Sequence, residues 1–375
     1  MNPNKSYKWP AKLHLVSSRG AGEDIYRSWG DLLAVDTGIK VHVAGEDDDV
    51  DRFRWLGHIK LFDLTGDDGS KTSQMLMANQ HHCVRDGGPF PIRIAWVRSK
   101  GNAGFFTKGD SGIKTPRDIK PGTRFCRMTY SPKIRMIDGL LAWAKVRHDE
   151  IIWVDINKPG ESYQSVVEGR SDLSFGFPNS PNILAAERKK QSIKWVDLNA
   201  EADPEGAKRF RDRDPLITFG LIHSGVDSAI GHWGTVGINF ELTRKDTNAE
   251  LVYNLAKWLD ENYPRFKDKH PQNKFRNRQT LIEGLRHTYL PCHEGTISYL
   301  RDIGIWTKAH DMRQAENESL VDQYAMAYQQ CMWEADRQKI WVARESEEWV
   351  KFWNDYKKSN LPELKLFDDL PVVAV

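Results

Sequence analysis

The sequence predicts a two-lobed α/β fold, and three observations support this prediction. The chain has 375 residues, which is long for one α/β core and suits two lobes with an appendage. Strand-like and helix-like segments alternate in β-α-β-α order, which is typical of a parallel sheet covered by helices. Two apolar strands, at residues 91–97 and 234–242, would carry the chain out of the first lobe and back, and such a double crossing forms a hinge.

The first lobe begins with a β-loop-α unit. Residues 13–16 are a short apolar strand, residues 17–22 are a turn of small residues, and a helix with one apolar face follows. Residues 40–44 form the second strand, and an acidic loop at 45–49 precedes another helix-like stretch.

The second lobe is expected to start after a polar, glycine-rich loop at residues 99–112. Four apolar strands are predicted, at residues 123–128, 151–156, 173–177 and 193–198, and helical segments separate the first three of them.

These elements divide the chain into four segments. The first lobe takes residues 1–98 and 215–310, and the second lobe takes residues 99–214. Residues 311–375 form a C-terminal extension whose aromatic stripe predicts one or two amphipathic helices. Packing on a lobe is the usual use of such a stripe, and docking of a partner is the alternative.

Composition argues against several classes of partner. The net charge is +2 and there is no basic run with interleaved aromatics, so we expect no nucleic-acid partner. No apolar run approaches the roughly 18 residues of a membrane span, so we expect no insertion into a membrane. No P-loop and no GxGxxG motif follows a predicted strand, so we expect no cofactor.

The four cysteines, Cys83, Cys126, Cys292 and Cys331, are widely separated. Their spacing matches neither a zinc motif nor a disulfide framework, and we expect buried thiols.

The N-terminal residues, MNPNKSYKWPAKLHLV, lack the basic and then apolar pattern of a signal peptide. Two interpretations remain open. A signal peptide has been removed and the protein is periplasmic or otherwise extracytoplasmic, or the protein works in the cytoplasm.

Five segments carry a resemblance to a known family. They are SSRGAGEDIY at 17–26, SGIKTPRDIK at 111–120, VEGRSD at 167–172, FPN at 177–179 and LPCHEGTISYLRDIG at 290–304. In this order they resemble the TAXI family of TRAP-transporter solute receptors, which have the type II periplasmic-binding-protein fold. The last segment is the most specific, because it matches in residue type and spacing over about fifteen positions.

The resemblance implies a receptor that closes on a small organic acid, such as an amino or dicarboxylic acid, and then docks on TRAP membrane subunits. One departure concerns the loop after the second strand, where the family has Gly-Ser-x-x-Asn and this chain has an acidic run at 45–51. An acidic loop facing the ligand would repel an anion unless a cation intervened.

Candidate ligand-binding residues in the first lobe follow its first two strands. Ser17, Ser18 and Arg19 lie at a predicted helix N-terminus, where backbone N–H groups and a guanidinium can hold a carboxylate. Tyr26 joins them through the resemblance. Glu46 and Asp47 belong to the acidic loop.

The acidic loop has a second interpretation. Its oxygen atoms could ligate a hard cation, but the run lacks the spacing and central glycine of an EF-hand loop. A solvated turn is the simpler interpretation.

Candidates in the second lobe occupy matching positions after its strands. They are Tyr130, Ser131 and Arg135 after one strand, and Asn179 and Ser180 after another. For Ser131 the alternative is an ordinary Ser-Pro helix cap.

Histidines offer no readable metal or catalytic site. His81 and His82 are adjacent, and if they lie in a strand their side chains point to opposite faces, so we expect no shared metal ion. His293 is interpreted as a structural histidine near the hinge.

Two functions from different classes remain. A solute receptor is favoured by the TAXI-like segments. A cytoplasmic enzyme on the same fold, such as a decarboxylase of an aromatic or hydroxylated acid, is favoured by the N-terminus and would need an acid or base such as Glu46, Asp47, His82 or His293. A cytoplasmic sensor is a third reading, since the fold alone does not decide function.

Overall fold

The structure is a computed structural model that describes residues 7–127, 133–156, 161–188, 193–214, 217–362 and 364. The strands of this part are β1 Lys12–Ser17, β2 Lys40–Gly45, β3 Leu64–Asp67, β4 Ile92–Lys108, β5 Arg124–Arg127, β6 Ile152–Asp155, β7 Leu173–Gly176, β8 Ile193–Trp195, β9 Thr218–Leu221 and β10 Trp233–Arg244. The helices are α1 Ala21–Thr37, α2 Asp49–Phe53, α3 Gly69–Leu76, α4 Lys133–Ala144, α5 Glu161–Val167, α6 Pro181–Arg188, α7 Pro204–Arg211, α8 Ala249–Glu261, α9 Tyr263–Phe266, α10 Arg278–Leu285, α11 Glu294–Asp302, α12 Lys308–Arg337 and α13 Glu347–Asn360.

The chain divides into two compact units. Unit 1 consists of Met1–Lys100 and Ile238–Val375, and unit 2 consists of Gly101–Gly237. The long strands β4 and β10 each run from one unit into the other.

Unit 1 has a sheet with the strand order β2-β1-β3-β10. Strand β1 is parallel to both β2 and β3, whereas β10 is antiparallel to β3. Leu13 and Leu15 of β1 are fully buried, as is Trp29 of α1, which explains why the apolar alternation of this segment forms a central strand with a covering helix.

Unit 2 repeats this order with its own strands. Strand β5 is parallel to β6 and β7, and β7 is antiparallel to β4, which gives β6-β5-β7-β4. Strand β8 pairs with β4, and β9 pairs with β10. Each unit therefore has three parallel strands in the order second-first-third and one antiparallel strand that belongs to a crossing, and the predicted α/β class is confirmed.

The loop predicted at residues 99–112 is wrong over most of its length. Strand β4 continues to Lys108, and its distal half pairs with β7 on one side and β8 on the other. Phe105 and Phe106 are buried there, and the glycine at position 104 gives room to Trp195, whose ring would lie 3.0 Å from a Cβ atom. Glycine and polar residues in this segment serve close packing in a strand and do not mark a loop.

The predicted C-terminal helical segment is present as α12 and α13, which pack within unit 1. Trp349 and Trp353 are fully buried and, together with Tyr328, form an apolar cluster with residues that precede β4. The indole nitrogen of Trp349 donates to the Cys83 carbonyl at 3.1 Å, and that of Trp353 donates to the Met77 carbonyl at 2.9 Å. The aromatic stripe of the extension is therefore used for packing on this unit.

The cysteine prediction is confirmed, because all four cysteines are buried free thiols.

His293 is the N-cap of α11, as its structural interpretation required. Its side-chain Nδ1 accepts a hydrogen bond from the Gly295 backbone N–H at 3.1 Å, and the backbone N–H of His293 donates to the Ile94 carbonyl at 2.8 Å. Burial is the main cause that lowers the pKa of His293 from 6.5 to about 4.

This shift predicts a pH-dependent loss of stability. Above pH 6.5 His293 is neutral in both the folded and the unfolded chain, and as the pH falls toward 4 only the unfolded chain takes up the proton. We expect the native protein to lose up to about 3 kcal/mol of unfolding free energy over this range from this residue alone. Urea denaturation at several pH values measures the loss.

The matched control is His293→Asn, since asparagine keeps an N-cap acceptor and does not titrate. The variant should show a shallower decline between pH 6.5 and 4. Equal slopes for the two proteins would contradict the assignment.

Candidate functional site

The carboxyl ends of β1, β2 and β3 meet at one edge of the sheet in unit 1. Ser17 at the end of β1 is in register with the glycine at position 45 at the end of β2, and β3 ends at Asp67 beside them. The strand order reverses at β1, because the chain passes from β1 to β2 on one side and then to β3 on the other. Such a reversal point is where open α/β sheets bind ligands.

The two predicted serines lie at this reversal point. Ser17 is buried and Ser18 is half-buried, and both hydroxyl groups converge on the first turn of α1. A Cβ atom at Gly22 would lie 2.4 Å from Ser17 Oγ and 2.5 Å from Ser18 Oγ, so the loop can adopt this course only because that residue is glycine.

Arg19, Glu46 and Asp47 come together at the same edge. The guanidinium of Arg19 pairs with Glu46 at 3.2 Å and also donates to the carbonyl of residue 45, and its backbone N–H donates to Asp47 at 3.0 Å. The acidic loop is thus hydrogen-bonded to the loop of residues 17–20, which we call the serine loop. Arg19 offsets part of the negative charge of the acidic loop.

Tyr26 is fully buried beneath this edge and belongs to an ionic cluster. Its hydroxyl donates to the Glu241 carboxylate at 2.5 Å, and the same carboxylate accepts from Arg276 at 2.7 Å and from Arg98 at 3.3 Å. Burial alone would raise the pKa of Glu241, but the two guanidinium groups outweigh it and hold the pKa below its ordinary value. Glu241 is therefore an ionised carboxylate inside the protein.

Arg98 connects this ionic cluster to the serine loop. Its Nη2 donates to Ser17 Oγ at 2.8 Å and to the Gly22 carbonyl at 2.9 Å. Ser17, which is a predicted ligand contact, therefore already accepts a hydrogen bond from Arg98 of β4.

A second buried ion pair lies at the end of β3. Arg52 and Asp67 are both buried and pair at 2.6 Å, and Lys71 contacts the other oxygen of the Asp67 carboxylate at 3.0 Å. Counted together, the buried guanidinium groups of Arg52, Arg98 and Arg276 are matched in number by the buried carboxylates of Asp49, Asp67 and Glu241. The guanidinium groups at this edge are therefore balanced by carboxylates of the same unit.

The second unit contains the other predicted contacts. Tyr130 and Ser131 lie outside the described residues. Arg135, in the first turn of α4, is buried and donates to the Arg213 carbonyl at 3.0 Å, so it supports the local backbone.

Asn179 and Ser180 follow β7 and precede α6. Asn179 is exposed and Ser180 is half-buried. Both lie at the carboxyl end of a parallel strand of unit 2, as Ser17 and Ser18 do in unit 1.

His81 and His82 do not lie in a strand, and the prediction that they point apart is wrong. They occupy a 3₁₀ turn, Gln80–His82, and their rings lie 4.5 Å apart between centroids. Both face Asp49, the first residue of α2. A 3₁₀ turn places successive side chains about 120° apart, which lets two neighbours reach the same carboxylate.

The functional residues that sequence reasoning missed are Arg98, Glu241 and Arg276. The sequence contains a signal for Arg98 and Glu241, because each places a charge in a mostly apolar strand. The segments are IAWVRS for Arg98 and GINFEL for Glu241. A charge in such a strand must find a partner inside the protein. Arg276 follows a 3₁₀ turn, Pro271–Phe275, and has no comparable signal.

The sequence profile of the NMT1-like family matches residues 138–304, which is less than half of the chain. No curated protein sequence matches significantly.

Several solved structures are similar to this chain. The aliphatic sulphonate-binding protein SsuA from Escherichia coli is 11% identical, with 98% of this chain and 97% of that chain covered and a TM-score of 0.43. The alkanesulfonate-binding SsuA from Xanthomonas axonopodis is 12% identical, with 89% and 96% covered and a TM-score of 0.37. The second substrate-binding domain of GlnP from Lactococcus lactis is 11% identical, with 70% and 95% covered and a TM-score of 0.38.

Within the described residues, every helix is too short or too polar to cross a bilayer.

The ionic cluster gives a direct stability prediction. Glu241→Gln removes the buried carboxylate that Arg98 and Arg276 share, and we expect it to lower the unfolding free energy by about 3–5 kcal/mol at pH 7. Urea denaturation followed by circular dichroism measures the loss.

Glu283→Gln is the matched control. Glu283 pairs with Lys100 at 2.7 Å, but its carboxylate is 44% exposed, so its loss should change stability by less than about 1 kcal/mol. Similar losses for the two variants would refute the role given to Glu241.

Proposed function

We propose that this protein is a solute-binding protein whose ligand is a small organic anion. The observation that carries the proposal is the reversal point of the sheet in unit 1, where the N-terminus of α1 lies against Ser17 and Ser18. The match to the NMT1-like family supports the same proposal.

The first turn of α1 can accept an anion. The N-cap of this 17-residue helix is Gly20, so no N-cap side chain accepts from the first helical N–H groups, while the Glu23 carboxylate accepts from the Gly20 backbone N–H at 2.9 Å. Such N–H groups and the helix dipole favour a carboxylate or sulfonate. Ser18 adds a half-buried hydroxyl group beside them.

The acidic loop is the main objection to an anionic ligand, and its contacts weaken that objection. Glu46 pairs with Arg19 and Asp47 accepts from the Arg19 backbone N–H, so the loop reaches the edge partly neutralised. Arg98 donates to Ser17 Oγ at 2.8 Å, so one buried guanidinium group reaches the serine loop itself.

We extend the proposal to transport. The resemblance to TAXI receptors supports a role in TRAP-type uptake, with an extracytoplasmic location and TRAP membrane subunits as partners. Asn179 and Ser180 of unit 2 remain predicted ligand contacts, and Glu46 and Asp47 are predicted to border the ligand.

Ligand binding tests this proposal. The full chain is screened by thermal shift with carboxylates, amino acids and sulfonates, each beside its neutral amide, and every hit is measured by calorimetry. We expect an anion to raise the midpoint and its amide to have no effect, because only the anion carries the charge that the N-terminus of α1 and Arg19 favour. Recovery of the ligand unchanged supports a receptor, and conversion of the ligand supports the enzyme alternative.

Arg19→Gln tests the position of the site. Because Arg19 lies at the edge with 62% of its side chain exposed, its loss should weaken binding of the selected anion about tenfold. Arg27→Gln is the control, since Arg27 lies on the same helix and pairs with Glu23 at 2.9 Å. Equal affinities of the two variants would place the ligand elsewhere.

A further inference from the structure

Asp49, His81 and His82 bring three metal-ligating groups together in unit 1. His81 Nε2 lies 3.1 Å from Asp49 Oδ1, and His82 Nε2 lies 3.4 Å from Asp49 Oδ2. One ligand atom from each residue can be chosen so that all three lie within 4.8 Å of one another. With zinc–ligand bonds of about 2.0–2.1 Å, neighbouring ligands of a tetrahedral ion are about 3.3 Å apart.

From this cluster we propose a binding site for a divalent transition-metal ion, with Zn²⁺ as the ion that the ligands favour. The site uses residues other than those of the proposed anion site, so it stands or falls independently of that function.

The hydrogen bond made by His82 Nδ1 determines that Nε2 is the ring nitrogen that can bind a metal ion. His82 Nδ1 lies 3.0 Å from the Gly87 carbonyl oxygen, which can only accept, so Nδ1 carries the proton. In a neutral imidazole, Nε2 then presents a lone pair to the Asp49 carboxylate, and two acceptors face each other. A cation held between them removes this conflict, and a backbone acceptor behind the other nitrogen is the usual support of a metal-binding histidine.

The surroundings leave the Asp49 carboxylate available. Arg52 is the nearest cation on the same helix, but it pairs with Asp67 and donates to the Glu46 carbonyl. Phe53 packs its ring at 5.8 Å from that of His82. These contacts give the cluster a dry inner wall and direct the two histidines at one carboxylate.

Exposure differs among the ligands in a way that suits an exchangeable ion. The side chain of His82 is fully buried, that of Asp49 is 9% exposed and that of His81 is 23% exposed. His81 therefore forms the solvent side of the site. Three protein ligands leave one tetrahedral position for water or an oxygen ligand.

The C-terminal helices hold the backbone that carries these histidines. Trp349 donates to the Cys83 carbonyl at 3.1 Å, and Tyr328 donates to the Val84 carbonyl at 2.8 Å. The segment directly after His82 is thus fixed from outside, and a rigid backbone is what a metal site needs.

The ligand set selects the kind of ion. Two imidazoles and one carboxylate suit Zn²⁺ and other late first-row metals, whereas Mg²⁺ and Ca²⁺ require mainly oxygen ligands. Mg²⁺ should therefore fail to compete.

The test uses the full chain after removal of metals with a chelator. Zn²⁺ binding is measured by calorimetry, and Co²⁺ serves as the spectroscopic probe because its visible absorption reports coordination by protein ligands. We expect saturable binding of one ion per chain, a rise in the thermal midpoint with Zn²⁺, and no effect of excess Mg²⁺.

Asp49→Asn and His81→Gln should each weaken Zn²⁺ binding by more than about tenfold. His81→Gln is decisive if Asp49→Asn fails to fold, because the His81 side chain is partly exposed and its replacement should leave the fold intact. His42→Gln is the matched control: His42 is an exposed histidine whose ring stacks on that of His14 at 5.1 Å, and its loss should leave Zn²⁺ binding unchanged.

Three results would overturn the proposal. They are the absence of saturable Zn²⁺ binding to the folded chain, an unchanged affinity in folded His81→Gln, and a loss of binding in His42→Gln.

Discussion

The Glu241 carboxylate is bonded by groups from three separate parts of unit 1, which makes it the constraint on which this unit depends. Tyr26 comes from α1, Arg98 from the outgoing strand β4 and Arg276 from the segment before α10, while Glu241 itself lies on the returning strand β10. Each of these charges would be costly to bury alone, so the four side chains are stable only as a set. The ionic bonds thereby fix the two crossing strands against the first helix.

This constraint also shapes the edge where a ligand is proposed. Because Arg98 bonds Glu241 on one side and Ser17 Oγ on the other, the serine loop is held by the same side chain that joins the crossing strands. Arg98 lies below the loop and is itself held by Glu241. An anion at the end of β1 would therefore meet hydroxyl and helix N–H groups whose positions are fixed by buried contacts.

Local patterns predicted the parts of the fold that depend on local order. The apolar strand at 13–16, the turn at 17–22 and the helix after it appear as β1 and α1, because an apolar strand and a turn of small residues are patterns of neighbouring residues. Strand β3 was missed because LTGD is short and contains glycine, and it is a strand only through pairing with β1 and β10. The Arg98–Glu241 pair spans 143 positions, and a sequence pattern does not determine which distant charge a buried residue meets.

The acidic run after β2 consists of residues with different contacts. A continuous run of charges suggests a single patch that would repel an anion, but the structure gives its residues separate contacts. Glu46 and Asp47 bond Arg19, Asp48 caps α2 by accepting from the Val50 N–H at 2.9 Å, and Asp49 turns inward to the two histidines. Since the contacts of Glu46, Asp47 and Asp49 come from distant segments, the run behaves as separate sites that happen to adjoin in sequence. An anion at the serine loop and a cation at Asp49 are therefore compatible, because different residues of the run serve each.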